Sequence, residues 1–478
     1  NTNSHCIEKV EATHKLGWTP DMEGFLWGHL FLSSQNADST SGKKPVIEFW
    51  GRDEGDEQIA DGFRSKGDYR TWISLVNDIL IYPDVAFLLY ASLATPLLSI
   101  LGVQNFSLEL SNQSSSGKTT ALLLGASAWG APELHSSSFV NTWYVTPVWI
   151  GRAASTLNGL PLYLDETKLA KSQDRSNRGG DIVTDTIYRI TAGRDKARGT
   201  LQGTERTESF RTILFSTGES SSYDLSNAGG SRARLIDLCG NPFFKTDAES
   251  KAVVDRVNWI ILDNYGHAGH RVVQYILNHK DQWGLWKEAY RAANKLLSEP
   301  EALSSIEMRL GEYFAFITTA IPIIHVALPE LRRDRQVKEL LESVWNRARK
   351  EAREADVLTK VLNVIQSFII NNNEMIYSKA LNEGNVPWDR KAYIGYQDID
   401  SSDNWSFVGL YPEVFNELLK KNGYDPSVIL KDLNLKGLLS LTSKKGFVRD
   451  VKIPGTSVKA KLKNLRLYCL KKEAFNFN

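Results

Sequence analysis

The sequence predicts an α/β protein built around a mostly parallel sheet, with a small β-rich part before the sheet and helices after it. From Phe106 onward, short apolar runs alternate with helical patterns, which is typical of a sheet wrapped by helices. A Gly-Lys-Thr sequence directly follows the first of these runs and opens a helix. Residues 247–383 carry long patterns of 3.6-residue period with few Gly or Pro. We therefore predict four parts: a β-rich subdomain in residues 1–80, an α/β core in 81–246, a helical lid in 247–400 and a compact C-terminal domain in 401–478.

Composition excludes several classes of protein. The 478 residues allow roughly three domains of about 150 residues each. Because 57 Lys plus Arg face 56 Asp plus Glu, the net charge is +1, and any polyanionic partner must meet a local patch. With 42% hydrophobic and 24% charged residues, the chain is globular rather than disordered. Cys6, Cys239 and Cys469 are far apart and lack zinc-site spacing, which favours a reducing cytosol and no structural zinc.

No secretion signal or membrane span is predicted. The chain starts at Asn1 without a basic-then-apolar pattern, and the sequence leaves open whether a domain precedes it. Residues 85–108 are uncharged and long enough to cross a bilayer, but Ser, Thr, Pro, Gly and Gln interrupt them. We interpret this stretch as a buried helix followed by a buried strand, and we expect a cytoplasmic protein.

The β-rich subdomain is predicted from alternation. Residues 25–32 and 45–50 alternate in the manner of short strands, and the polar stretch 33–44 separates them.

The loop after the predicted strand 106–110 resembles a P-loop. Such a loop holds phosphates on backbone N–H groups at a helix N-terminus, with a lysine at the β- and γ-phosphates and a hydroxyl on Mg²⁺. Lys118 and Thr119 fit these two roles, so we predict ATP and Mg²⁺ as cofactors. Asn112 replaces the motif's first Gly, and Asn enters the left-handed region more readily than most residues. The alternative is a Ser/Gly loop that only caps a helix. The predicted nucleotide-binding residues are Asn112, Ser114, Ser115, Ser116, Gly117, Lys118, Thr119 and Thr120.

An apolar run, residues 160–164, ends in Asp165 and Glu166. Downstream of a P-loop, the first acid joins the Mg²⁺ shell and the second polarises the attacking water. We predict Thr119 and Asp165 as the metal-site residues and Glu166 as the catalytic acid-base group. The alternative is a solvated acidic turn at a strand end.

Two further polar groups follow. The buried strand 210–215 ends at Ser216 and Thr217, and we predict Ser216 as a sensor of the γ-phosphate with Thr217 as the alternative; a simple Ser/Thr turn is the competing interpretation. We predict Arg234 as an arginine finger that acts on a neighbouring subunit, with Arg232 as the alternative. Two surface arginines in a loop would give the same pattern.

Two basic segments are candidate DNA contacts. Residues 191–206 suggest a hairpin that carries Lys196 and Arg198. Residues 436–478 contain nine Lys and two Arg against two acids, a net charge of +9. Two short helices and then two alternating strands resemble a winged helix there. A solvated hairpin and a solubilising tail are the alternatives. The predicted wing contacts are Lys444, Lys445, Arg449, Lys452, Lys459 and Lys461.

His267 and His270 are interpreted as structural, because no third metal ligand is nearby in the sequence. Arg309 lies on an apolar helix, where an arginine more often reaches out to solvent than senses nucleotide, and the sequence leaves its role open.

The order of these motifs resembles a family of helicase-like proteins from phages and integrating genetic islands, and in particular the MCM-like AAA+ replicative helicases of staphylococcal cassette chromosomes and pathogenicity islands. The matching text includes Leu16-Gly-Trp18, Leu97-Leu98, Ser114 to Thr120, Trp129-Gly130, Leu164-Asp-Glu166 and Ser216-Thr-Gly-Glu219.

The resemblance implies a P-loop AAA+ ATPase core, a C-terminal winged-helix domain, and 3′-to-5′ DNA unwinding by a hexamer at the origin of a mobile element. It also implies the site roles given above, with weaker pore contacts by Lys196 and Arg198. A translocase for DNA packaging or transfer would share every motif. A nucleotide-gated origin-binding protein with little turnover is disfavoured because Asp165 and Glu166 are both present.

Overall fold

A computed structural model of the chain forms two compact units, Asn1–Arg353 and Glu354–Asn478. The structure describes residues 10–34, 46–113, 116–134, 139–172, 179–195, 199–200, 203–204, 207–222, 233–245, 247–298, 305–332, 336–355, 357–378, 393–399, 404–441, 446–453 and 463–475.

Short strands at the start of the first unit form two small sheets. The strands are β1 Val10–Thr13, β2 Leu16–Trp18, β3 Gly24–Trp27, β4 Leu30–Ser33 and β5 Val46–Phe49. β1 pairs with β5, and the other sheet has the order β4-β3-β2-β8, where β8 is Leu157–Asn158. Gly17 allows β2 and β8 to approach each other closely, since a Cβ at this position would lie 1.9 Å from the Asn158 carbonyl oxygen. Two helices follow within the first 80 residues, α1 Glu54–Gly62 and α2 Tyr69–Ile79, each capped by an aspartate.

The core of the first unit is a five-stranded, fully parallel sheet, as the alternation of apolar runs and helical patterns predicted. Its strands are β6 Phe106–Ser111, β7 Val140–Thr142, β9 Leu162–Asp165, β12 Ile213–Gly218 and β13 Leu235–Cys239. Their spatial order is β13-β6-β12-β9-β7. β12 therefore lies between the strand that precedes the predicted P-loop and the strand that ends in Asp165.

Helices and one small hairpin complete this core. The helices are α3 Pro83–Ala94, α4 Leu97–Leu101, α5 Lys118–Ser127, α6 Pro147–Thr156, α7 Lys168–Ser172 and α8 Gly179–Ala192. α3, α4 and β6 occupy the uncharged stretch 85–108 and are almost wholly buried, as interpreted from the sequence. The hairpin predicted in 191–206 pairs β10 Gly199–Thr200 with β11 Gly203–Thr204.

Among the described residues after the sheet, the first unit has five α-helices, the last of which extends to Ala355. They are α9 Ala248–Asp263, α10 Ala268–Asn278, α11 Trp283–Ser298, α12 Ser305–Ala327 and α13 Gln336–Ala355. Among the described residues, Ile306–Ala327 is the one helix long and apolar enough to cross a membrane, and 67% of its most apolar window is buried. It packs on the core through Tyr313, which stacks on Phe106, and through Phe314, which contacts Phe87. Such burial is typical of a core helix.

The second unit is a mixed sheet with three helices. Its elements are α14 Val357–Asn371, β14 Ile376–Ser378, β15 Gly395–Ile399, β16 Trp405–Leu410, α15 Pro412–Lys421, α16 Pro426–Leu435, β17 Arg449–Ile453 and β18 Lys463–Lys471. The strand order is β14-β15-β16-β18-β17, and only β14 with β15 is parallel.

Both short helices and the strand pair predicted after residue 401 are present. The compact unit nevertheless begins at Glu354, within the stretch assigned to the helical lid. The physical reason is that Leu362 and Ile365 of α14 share one apolar cluster with Val408 and Leu430.

Candidate functional site

Part of the predicted nucleotide site meets at one edge of the core sheet. Because all five strands are parallel, the carboxyl ends of β6, β9 and β12 lie at the same edge. Asn112 and Gln113 follow β6, Asp165 and Thr217 lie at the ends of β9 and β12, and Glu166 follows β9.

Lys118 is held by the two residues that directly follow β6. Gly117 caps α5 with φ +82°, a conformation that favours glycine, and a Cβ there would lie 2.7 Å from the Phe243 ring. The Lys118 ammonium is nearly buried and donates to the carbonyl oxygens of Asn112 at 2.8 Å and Gln113 at 3.0 Å. Burial lowers the Lys118 pKa, whereas the negative charges of Glu166, Glu219 and Asp165 raise it. Ser114 and Ser115 lie outside the described residues.

Asp165 is the centre of a hydroxyl and carboxylate cluster. Thr119 Oγ1 lies 3.1 Å from both carboxylate oxygens, and Thr217 Oγ1 donates to Oδ1 at 2.6 Å. Burial raises the Asp165 pKa, whereas these hydrogen bonds and the charge of Lys118 lower it. The cluster thus supplies hard oxygen atoms beside a buried ammonium group.

Glu166 has a strained backbone. Its φ is +65°, a conformation that costs a non-glycine residue about 1–3 kcal/mol and that clusters at functional sites. The Glu166 N–H donates to Thr217 Oγ1 at 2.9 Å, so one hydroxyl connects both acids. This connection holds Glu166 at the end of β9.

Thr217, rather than the predicted Ser216, contacts the acids. Successive side chains of a strand point to opposite faces, so only one of the two can face Asp165. The Ser216 hydroxyl accepts a hydrogen bond from the indole N–H of Trp143 at 2.9 Å and is buried. Of the two candidates, Thr217, the alternative in the sequence-based assignment, is therefore the one whose hydroxyl contacts the acids.

Arg234 lies at the opposite edge of the sheet. Its carbonyl oxygen accepts from Ser107 N at 2.9 Å, near the start of β6, and its guanidinium group lies 4.6 Å from the centre of the Tyr188 ring. The five residues of β13, which span about 16 Å at 3.3 Å each, separate it from the edge that holds Lys118. The alternative, Arg232, lies outside the described residues.

The candidate DNA contacts are described only in part. Arg449 donates to Ser440 Oγ and its guanidinium group lies 4.2 Å from the centre of the Phe407 ring, while Lys452 is exposed on β17. The remaining candidates, Lys196, Arg198, Lys444, Lys445, Lys459 and Lys461, lie outside the described residues.

The residues assigned structural roles make local contacts. His267 Nε2 and His270 Nδ1 each lie 3.0 Å from a backbone carbonyl oxygen, and burial lowers the pKa of His270. In the part of the chain that the structure describes, no group of three or more His, Cys, Asp or Glu is arranged to hold a metal ion. Arg309 lies 3.3 Å from Gln104, before the start of β6 and away from the acids.

Sequence reasoning missed a buried acidic group behind the loop. Ser111, the last residue of β6, donates to Asp237 at 2.7 Å. Arg347 of α13 forms an ion pair with buried Asp84, and Glu351 lies one turn further along. Burial, together with the charge of Asp237, raises the pKa of Glu351 to about 8. Within the described residues, its Oε2 atom has no hydrogen-bond partner. No local pattern signals this group, because its members are distant in sequence.

A solved structure of a helicase shares this fold. Residues 2–209 match a family model described as a domain of unknown function, DUF927, which ends before β12. No curated protein is significantly similar in sequence. A structure described as "SCCmec type IV Cch - active helicase" aligns with a TM-score of 0.69, covering 97% of this chain and 79% of the other, at 19% identity. This chain has the fold of that helicase structure.

The similarity to the SCCmec helicase covers both compact units. Since identity is low, it establishes the fold, and the chemistry of the site has to be argued from the side chains of this chain.

Proposed function

We propose that the chain is an ATP-dependent DNA helicase of the MCM-like AAA+ type that initiates replication of a mobile genetic element. The observation that carries this proposal is the meeting of Lys118, Thr119, Asp165, Glu166 and Thr217 at one sheet edge. The shared fold with the SCCmec helicase supports it.

The residues present fit a nucleotide and Mg²⁺. The N-terminus of α5 offers backbone N–H groups to phosphate oxygens, and Lys118 adds a positive charge beside them. Thr119 and Asp165 supply the oxygen atoms that Mg²⁺ prefers. When bound, the metal ion neutralises charge on the phosphates.

Glu166 and Thr217 perform the remaining chemistry in this proposal. Glu166 accepts a proton from the attacking water, and its strained backbone keeps the carboxylate at the end of β9. Thr217 holds both acids in position from the central strand β12. A position between the P-loop strand and the acid strand is what a γ-phosphate sensor requires.

Arg234 supports an assembly in which subunits share sites. At the far edge of its own sheet, it is too distant to reach the phosphates of its own subunit. An arginine finger in this position must act on a neighbouring copy, and we propose a hexameric ring in the cytoplasm. DNA contacts are proposed for the Lys196 hairpin and for residues 401–478, which we interpret as a winged-helix domain within the four-part organisation predicted from the sequence.

Matched variants test the proposal. Lys118→Ala should weaken nucleotide binding and turnover together, whereas Glu166→Gln should retain binding and lower turnover by about two or more powers of ten. Glu249→Gln, which removes an exposed charge from the first turn of α9, is the control and should change neither. Displacement of a strand from a forked duplex then separates a helicase from a translocase. Full ATP turnover by Glu166→Gln would contradict the assignment, and a wild-type protein that barely hydrolyses ATP would favour an origin-binding role.

A further inference from the structure

Two neighbouring cavities in the second unit share the side chain of Trp405. The larger has a volume of about 790 Å³, and the smaller about 270 Å³. The larger cavity is basic, because four cationic side chains and a single acid, Glu473, line it. The cations are Lys436, Arg449, Lys471 and Lys472.

The smaller cavity has a different chemistry. Three amide side chains, Gln366, Asn373 and Gln397, line it together with apolar and aromatic groups. Amides both donate and accept hydrogen bonds, so they can pair with the edge of a nucleobase. The cavity lies just below the usual range of ligand pockets, about 300–1,000 Å³, and therefore suits a single ring system. The apolar and aromatic lining residues are Ile369, Ile370, Trp405, Val408 and Phe475.

Trp405 is held in a defined position between the two cavities. Its ring packs on Phe475 at a centroid distance of 5.9 Å, and the ammonium group of Lys472 lies 5.8 Å from its centre. Lys472 is also 3.3 Å from the Asn404 side chain. A cation fixed beside an aromatic ring, next to a basic groove, matches the way proteins bind unpaired nucleic acid, with phosphates on cations and bases on aromatic rings.

We propose that these two cavities form a binding site for single-stranded DNA, with the backbone phosphates in the basic cavity and one unpaired base against Trp405 and the amides. The bases of a duplex are stacked and cannot enter the smaller cavity, so the site selects single strands. Apart from Arg449, its residues differ from the wing contacts proposed above. The choice of DNA rests on the proposed function, but binding needs neither nucleotide nor unwinding.

The first experiment measures the affinity of the full chain for a fluorescent oligo(dT) by anisotropy, without ATP. Lys471→Gln/Lys472→Gln should weaken binding about tenfold or more and reduce the salt slope by about 1.4, or 0.7 for each lost phosphate contact on a single strand. The matched control is Lys420→Gln/Lys421→Gln, which removes the same charge from the last turn of α15, outside both cavities. An equal loss in both double variants would overturn the site.

The second experiment tests the base contact. Trp405→Ala should weaken oligo(dT) binding about fivefold to a hundredfold, the range for losing one stacked base, and Trp405→Phe should restore most of it. An abasic oligonucleotide of equal length has no base to stack on the ring, so Trp405→Ala and Trp405→Phe should bind it with equal affinity. Circular dichroism checks folding, and the variants of the half-buried Lys471 and Lys472 provide the test if Trp405→Ala does not fold. Equal effects on the abasic strand, or a loss confined to duplex DNA, would refute the proposal.

These outcomes are independent of the helicase assignment. Oligo(dT) binding is measured without ATP, so the comparison of the Lys471/Lys472 variant with the Lys420/Lys421 control does not depend on ATP turnover. If the protein hydrolyses no ATP but the Lys471/Lys472 pair still controls strand binding, then only the proposed function fails.

Discussion

The carboxyl edge of the first unit's sheet and the two cavities of the second unit use polar groups in opposite ways. Lys118 and Asp165 are each 6% exposed, and their hydrogen bonds go to other groups of the same site. The cations of the second unit line an open cavity around Trp405. Electrostatic interactions are stronger where water is excluded and are screened where it is not. The first region is therefore suited to chemistry and the second to salt-dependent binding.

Arg234 is expected to give the largest effect, because it is a cation of the first unit that lies outside the buried cluster of Lys118, Asp165 and Thr217. If it completes the site of a neighbouring copy, Arg234→Ala should lower ATP turnover by about three to five powers of ten. Mixing Arg234→Ala with Lys118→Ala subunits should restore part of the turnover at mixed interfaces. Steady-state ATP hydrolysis across mixing ratios measures this, and no activity at any ratio would exclude sharing in this form.

Thr217 and Ser216 allow two adjacent buried hydroxyl groups to be compared, one that contacts the acids and one that does not. Thr217→Val removes the hydroxyl that connects Asp165 and Glu166, so turnover should fall about tenfold or more. Ser216→Ala removes a hydroxyl whose partner is Trp143, and should affect stability more than turnover. Single-turnover ATP hydrolysis and thermal melting separate the two outcomes. A larger fall in turnover for Ser216→Ala than for Thr217→Val would favour Ser216 over Thr217 as the proposed sensor.

Glu351 tests whether a largely buried carboxyl group lowers the stability of the first unit at high pH. Its pKa is raised from 4.5 to about 8, so between these values the folded state holds a proton that the unfolded chain releases. The stability of the first unit should therefore fall as pH rises from about 4.5 to about 8. Glu351→Gln should make stability less dependent on pH and raise the free energy of unfolding by about 1–2 kcal/mol at pH 9. This figure allows for the partial exposure of the carboxyl group.

Melting of the full chain at pH 5 and pH 9 measures the effect of Glu351→Gln. The matched control is Glu339→Gln, an exposed acid on the same helix, which should leave the pH dependence unchanged. Equal stabilisation by both variants at pH 9 would show that net charge, rather than burial, is responsible.

Much of the fold was predictable because local patterns determine it. Thr146 and Pro147 predict the start of α6, and the Thr146 hydroxyl accepts from Trp149 N as an N-cap should. Asp425 and Pro426 do the same for α16. The start of the second unit was not predictable, since the apolar face of α14 packs equally well in a lid or against a sheet. Its partners, Val408 and Leu430, lie more than 40 residues away.

The sequence by itself determined which chemistry is present: a Gly-Lys-Thr after one buried strand, two acids after a second, and adjacent hydroxyl groups at the end of a third. Only the tertiary structure decided which groups meet. The pairing register of β12 with β9 turns Thr217 toward Asp165 and Ser216 toward Trp143, and a shift by one residue would exchange them. Likewise, only sheet pairing brings Trp405 together with the amides on and just after α14 and on β15, and with the lysines at the end of β18. Local propensity acts over a few residues, whereas burial and register depend on segments that are far apart in the chain.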